Sequence, residues 1–258
     1  MRDFALHSPA SLSDATAAFA GTDGEAAYLA GGHTLIPAMK SRLRMPDALV
    51  DLTGLGLSGI SRDGDRLWIG ATTLHADVAT GATAIPGLAC LAAGIGDAQV
   101  RNRGTLGGSI ANNDPAADYP AAALALDAVI ETDRGSHNAD DFFQGMFTTA
   151  LAESEIITRV GFTIPQQSSY AKFRHPASRY AMVGVYVARH AAGWRVAVTG
   201  AGPGVFRWTD AEAALNAGTD TAGLVLAADD LNSDIHASAE YRAHLCGVML
   251  KHALATLA

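Results

Sequence analysis

The chain has 258 residues, 49% of them hydrophobic and 17% charged, which excludes a disordered polymer and leaves room for two or three subdomains. Its formal net charge of -8 argues against nucleic acid or an anionic membrane surface as the main partner, and no run reaches the roughly 18 apolar residues that span a bilayer. The two cysteines, Cys90 and Cys246, fall short of the four ligands of an iron–sulfur cluster or a structural zinc site, and both read as small buried apolar residues.

Residues 1–7 carry no long apolar stretch of the secretory kind, so a cytoplasmic location is expected. Ser11 and Asp14 have the spacing of a helix N-cap and its box, followed by Leu12, Ala15, Ala18 and Phe19 on one face. Residues 26–29 read as a strand that runs into a first glycine turn, Ala30, Gly31, Gly32, His33, Thr34 and Leu35. A short helix over 35–42 and a strand over 48–52 complete a first α/β unit, taken as 1–55. A second unit, 56–165, opens on a strand over 66–71, with helical stretches over 74–80 and 86–95. Then come residues 99–114, in which Arg101 and Arg103 precede Gly104, Thr105, Leu106, Gly107, Gly108 and Ser109, and Asn112 and Asp114 follow. Residues 120–128 read as a helix with Pro120 in its first turn, 129–132 and 156–160 as strands, and 166–169 as a linker. A third unit, 170–258, holds strands over 180–187 and 194–199, joined into a hairpin at Ala191, Ala192 and Gly193, and closes on a helix over 239–257.

Glycine lets a backbone turn at positive φ and approach a ligand without a Cβ in the way, and successive exposed amides form a concavity for an anion. Two such turns suggest one phosphorylated ligand held from both sides, although either alone also suits a simple tight turn. Neither matches Gly-x-Gly-x-x-Gly after a strand or the Gly-Lys-Ser/Thr phosphate loop. Asp114, preceding Pro115, reads as a helix N-cap or as an acceptor for sugar hydroxyls. His33 reads as a phosphate contact or a cap of its turn. Arg101 and Arg103 read as guides for the anion or as salt-bridge partners within or between subunits. His75, His175 and His236 lack metal-ligand spacing and are taken as structural, and no residue is assigned a catalytic or metal-binding role.

Longer blocks add a resemblance. They are Ala30 to Lys40; Ile95 to Asp97 with Arg101 to Ser109 and Asp114 to Asp118; Asp140 to Phe143; Lys172 and Phe173 with Tyr180 and Ala181; and Ser233 to His236 with Ala239 to Arg242. In these blocks and their order the chain resembles the FAD-binding medium subunits of molybdenum hydroxylases, a group that includes aerobic carbon monoxide dehydrogenase and bacterial relatives of xanthine dehydrogenase. The resemblance implies an α+β fold of the CO dehydrogenase flavoprotein (PCMH) type, with two α/β subdomains clamping FAD and a C-terminal antiparallel sheet with helices. It implies that Ala30, Gly31, Gly32, His33 and Thr34, with Thr105, Leu106, Gly107, Gly108 and Ser109, hold the FAD pyrophosphate, and that Leu35 is a further cofactor-binding residue. It places Asp118 at a ribityl or ribose contact and Tyr180 against the flavin ring, with Asn112 and Asp114 as further polar contacts. Lys172 matches a basic position of the family but is also readable as a solvated surface charge.

The function so implied is electron transfer through FAD. A 2Fe–2S small subunit and a molybdopterin large subunit are the partners, in a dimer of heterotrimers, and an external acceptor such as a quinone, oxygen or NAD removes the electrons. Substrate hydroxylation belongs to the molybdopterin subunit, whether of carbon monoxide, an aldehyde, a purine or an N-heterocycle. A stand-alone flavin reductase and a non-catalytic nucleotide-binding module are the rival readings. The chain is somewhat shorter than the family, compact over 131–140 and 166–169, with a trimmed third subdomain.

Overall fold

The computed structural model describes residues 2–257, which build three main sheets in chain order and one two-stranded sheet. The first contains β1 (Ala5–His7), β2 (Ala26–Leu29) and β3 (Ala48–Asp51), all parallel in the order β1-β3-β2, with α1 (Leu12–Ala20) and α2 (Leu35–Lys40) as crossovers. Ser11 starts α1 as expected: its Oγ accepts from the Asp14 amide at 3.1 Å and donates to the Asp14 carboxylate at 2.7 Å.

The second sheet is antiparallel throughout, in the order β4-β5-β10-β6-β7. Its strands are β4 (Ile60–Asp63), β5 (Arg66–Gly70), β6 (Val129–Thr132), β7 (Ser136–Asn138) and β10 (Ile157–Thr163). Between β5 and β6 lie the helices α3 (His75–Gly81), α4 (Pro86–Ala93), α5 (Ala98–Arg101), α6 (Leu106–Asn112) and α7 (Tyr119–Ala125). A short helix, α8 (Ala139–Phe142), and a small hairpin, β8 (Phe143–Gly145) with β9 (Thr148–Thr149), follow β7. Ile69, Val160 and Ile130 face one another across β5, β10 and β6, all at 0% exposure, and form one row of the largest core. Every residue of α7 is buried in that core, which its alanines permit by letting neighbouring backbones approach.

The third sheet, β11 (Gln167–Arg174), β12 (Ala181–His190), β13 (Gly193–Thr199) and β14 (Phe206–Arg207), is antiparallel in that order. It is completed by α9 (Thr209–Ala217) and α10 (Ala239–Ala255). β12 is buried on both faces: Tyr186 and Ala188 join the central core, while Val183, Val185 and Val187 pack with Leu245, Cys246, Met249 and Leu250 of α10. This sandwiching overturns the expected linker. Its polar residues 167–169 begin β11, and Ser168 and Ser169 are buried, with the Ser169 and Thr256 hydroxyls bonded at 2.8 Å. Cys246 is buried as expected, but Cys90 lies on the outer side of α4 and is exposed. No helix among the described residues is long and apolar enough to cross a membrane.

Candidate functional site

The first glycine turn leaves the half-buried strand β2 and enters α2. Gly32 takes the left-handed φ of +74° that lets the chain reverse there. The amides of Gly31, Gly32, His33 and Thr34 donate to no acceptor among the described residues, so four adjacent donors stay open. Gly31 is needed for a different reason. A Cβ on it would lie 2.1 Å from the Arg103 carbonyl oxygen and 2.9 Å from Gly104 Cα, so here the two glycine turns touch.

The second turn is a loop that becomes a helix. Thr105 caps α6, its Oγ1 accepting from the Gly108 amide at 3.2 Å. The amides of Leu106 and Gly107 are spent inside the protein, on the carbonyls of Thr73 at 3.0 Å and Ala71 at 2.8 Å. Gly107 permits close packing, since a Cβ would sit 2.6 Å from that of Ala71. The Leu106 side chain is fully buried in the core. On this side Gly108, Ser109 and the buried Thr105 border the cavity, with the Gly108 amide already given to the Thr105 hydroxyl. The amide concavity expected from the glycines is therefore carried mainly by the first turn.

Gly104 has a third duty: a Cβ there would meet His75 Nε2 at 2.5 Å. His75 is only 5% exposed and its Nδ1 has no hydrogen-bond partner among the described residues. Burial, and then neighbouring His33, push its pKa down from 6.5 to about 4, so the ring is neutral near pH 7. The unfolded chain binds this proton more tightly than the folded one. Stability should therefore drop as pH falls from about 6.5 to about 4, by about 3 kcal/mol in all, and level off below that. His75→Gln should flatten that part of a pH-dependent urea-denaturation series; an unchanged series would contradict this assignment.

Both turns line one cavity of about 860 Å³, within the usual size of cofactor sites. Ala30, Gly31, Gly32, His33, Thr34, Leu35, Thr105, Gly107, Gly108, Ser109, Asn112, Asp114, Asp118 and Tyr180 all border it, whereas Leu106 and Lys172 do not. Asp114 caps a turn, accepting from the Ala116 amide at 2.9 Å, and does not cap α7, which starts at Tyr119. Tyr180 is 45% exposed; burial, then Asp114 and Asp118, raise its phenol pKa. The Ala181 amide holds this segment to the Ala116 carbonyl at 3.3 Å.

Asp118 is nearly buried at 5% exposure, with Tyr170 Oη donating to it at 2.5 Å. Lys172 Nζ lies 2.9 Å and 3.0 Å from its two oxygens and also donates to the Gly94 carbonyl at 3.1 Å. Burial pushes the Asp118 carboxyl up, against the pull of the Lys172 ammonium and the Tyr170 hydroxyl. Lys172 has only 3% of its side chain exposed, so the solvated-surface reading of it falls. Arg101 gives its guanidinium to the carbonyls of Ile95 and Gly96, not to a carboxylate, because α5 folds back over that loop. His175 and His236 meet edge to face with ring centroids 4.5 Å apart, and no group of three or more metal-capable side chains forms among the described residues.

One wall of the cavity was not foreseen. It comes from residues 147–157, including Phe147, Ser154 and Ile156. Ile156 packs with Ala15, Val50 and Leu52 of the first unit, and Tyr28 Oη donates to the Ser154 carbonyl at 2.9 Å. The segment has no glycine signature. Its visible signal is an apolar strand preceded by Glu155, which ties Thr132, His137 and the Ala152 amide together.

Residues 2–167 match a family described as the FAD binding domain in molybdopterin dehydrogenase. The chain is 34% identical over 268 residues to the nicotine 6-hydroxylase medium subunit of Paenarthrobacter nicotinovorans, covering 96% of this chain and 94% of that one. It is 33% identical over 274 residues to the carbon monoxide dehydrogenase medium chain of Hydrogenophaga pseudoflava, covering 97% and 96%. Among solved structures it superposes on quinoline 2-oxidoreductase from Pseudomonas putida 86 with a TM-score of 0.89 at 29% identity, covering 98% of this chain and 96% of that one. By these matches the chain belongs to the molybdenum hydroxylases as an FAD-binding medium subunit, an oxidoreductase component of the CO dehydrogenase flavoprotein fold.

Proposed function

We propose that this chain is the electron-transfer subunit of a heteromeric molybdenum hydroxylase, receiving electrons from a 2Fe–2S small subunit and passing them to an external acceptor. Hydroxylation would take place on a molybdopterin large subunit, in a cytoplasmic assembly with the composition of a dimer of heterotrimers. The observation that carries this reading is the contact of two glycine turns beside one cavity, with four open amides on one side and two hydroxyls on the other. Such donors suit a pyrophosphate, because they satisfy its oxygens without demanding cationic side chains of an acidic protein. Three subdomains, 1–55, 56–165 and 170–258, are the proposed division, supported by one main sheet for each, although the third sheet begins at Gln167.

In this reading Gly31, Gly32, His33 and Thr34 bind the pyrophosphate by backbone amides, assisted by Thr105 and Ser109, with Ala30, Leu35, Gly107 and Gly108 shaping the approach. Asp118 accepts from ribityl or ribose hydroxyls, with Asn112 and Asp114 beside it, and Tyr180 lies against the ring. Lys172 acts through Asp118, and Leu106 contributes by fixing α6. Bound FAD supplies the redox chemistry; the protein binds it, orients it and shields it from water.

Reconstitution tests the role. The FAD-loaded chain, mixed with iron–sulfur and molybdopterin subunits from its own operon, should lose its visible flavin absorption when their substrate is added without oxygen. The same absorption should persist if the iron–sulfur subunit is left out. Bleaching by substrate with this chain alone would favour the stand-alone flavin reductase.

A further inference from the structure

We propose that Phe147 is a flavin-contacting residue, its aromatic ring covering the isoalloxazine end of FAD in the main cavity. The inference rests on the FAD reading above. Phe147 is a large apolar side chain left 58% exposed, yet it borders the same cavity as the glycine turns. Its backbone takes φ +54°, a left-handed conformation that a bulky residue adopts only when its surroundings impose it, and such strain gathers at ligand sites.

The imposing group is Asn113. It is 1% exposed and itself left-handed at φ 44°, as the C-cap of α6. Its Nδ2 donates to the carbonyls of Gly145 and Thr148, both at 2.8 Å, and its own carbonyl accepts from the Phe147 amide at 3.1 Å. The tip of the β8–β9 hairpin is thus fastened to the end of α6 that lies away from Thr105. Seven residues of helix place that end about 10 Å from the glycine turn. The segment just after α6 also holds Tyr180, through the bond between the Ala181 amide and the Ala116 carbonyl. Two aromatic residues that border the cavity therefore hang from one end of α6, with the pyrophosphate-binding groups at the other. The ribityl chain of FAD can span that separation, and the reading of Tyr180 as the residue against the flavin puts the ring, not the adenosine, beside Phe147. Met146, 51% exposed, does not border the cavity and has no part in this contact.

Two ligands separate the ring from the rest. FAD and ADP share the pyrophosphate, but only FAD has the isoalloxazine. The apo full-length chain is titrated with each, as wild type, Phe147→Ala, Phe147→Gly and Phe147→Tyr. Phe147→Ala is expected to weaken FAD about tenfold and leave ADP within about twofold. Phe147→Gly relieves the backbone strain, so it should fold at least as stably as wild type and lose FAD affinity by a similar factor. Phe147→Tyr should retain wild-type affinity. Equal losses for FAD and ADP, or unchanged FAD affinity with weakened binding of a partner subunit, would overturn the proposal. Wild-type protein that binds ADP as tightly as FAD would also overturn it, whereas wild type that binds neither would remove the FAD reading itself.

Discussion

A chain carrying Lys172→Met is expected to melt well below wild type and to retain little FAD. Lys172 and Asp118 are 3% and 5% exposed in their side chains and 2.9 Å apart. Removing one member of such a pair leaves a buried charge without its partner, at a cost of about 3–5 kcal/mol, which for a chain of this size lowers Tm by about 10 °C. The deficit should depend on pH in a particular direction. Burial already raises the Asp118 carboxyl, and without the ammonium it rises further above its unfolded value. The folded variant then binds a proton that the unfolded chain releases, so its stability improves as pH falls through that raised value and worsens as pH rises. Adding Asp118→Asn should recover much of the lost stability, because no charge is left buried, but not the lost FAD affinity if Asp118 is the group that meets the cofactor. Thermal melts of the single and double variants across pH, with and without FAD, check all three outcomes. A Lys172→Met protein as stable as wild type at neutral pH would show that the pair does not form.

The second large effect falls on Gly31. Its missing Cβ is what lets the first turn lie on the Arg103–Gly104 backbone, where a side chain would be 2.1 Å from a carbonyl oxygen. Backbone on both sides means that no rotamer change relieves the clash. Gly31→Val should force the two turns apart and weaken FAD by at least about a hundredfold, or about 2.7 kcal/mol, while the three sheets persist. Gly218→Ala is the matching control. Unlike Gly31 it sits at positive φ, +67°, but it has nothing within 4 Å, and it caps α9 without bordering the cavity. It should lower stability by about 1 kcal/mol and leave FAD affinity unchanged. Isothermal titration of both variants with FAD, alongside circular dichroism, separates a lost site from a lost fold.

These effects also show which parts of the molecule were legible in the chain alone. The glycine turns were, because glycine and hydroxyl residues at close spacing carry a backbone requirement that does not depend on distant neighbours. β2, α4, β6, the β12–β13 hairpin and α10 were legible through apolar pattern and caps. What long-range packing decides was not. β1 consists of three exposed residues with no alternation, and it is a strand only because β3 offers it a parallel edge. β11 begins with glutamine and serines that read as a linker until β12 is seen pairing along its whole length.

The same distinction holds within the site. The burial of Lys172 is set by Asp118, 54 residues earlier in the chain, and neither residue announces the other. The amides of Leu106 and Gly107 looked available for a ligand, yet Ala71 and Thr73, more than thirty residues upstream, already accept from them. Phe147 was invisible for a related reason. Its importance comes from the left-handed backbone that Asn113 imposes, and a phenylalanine between a methionine and a threonine gives no sign of that.

The most direct test of the central claim is a titration of the purified apo chain with FAD, followed by flavin fluorescence and by calorimetry. One FAD per chain should bind and its fluorescence should change on binding, ADP should compete, and Gly31→Val should abolish saturation at the same concentrations. A wild-type chain that is correctly folded by circular dichroism but neither binds FAD nor is affected by ADP would contradict the assignment of the two glycine turns as its pyrophosphate clamp.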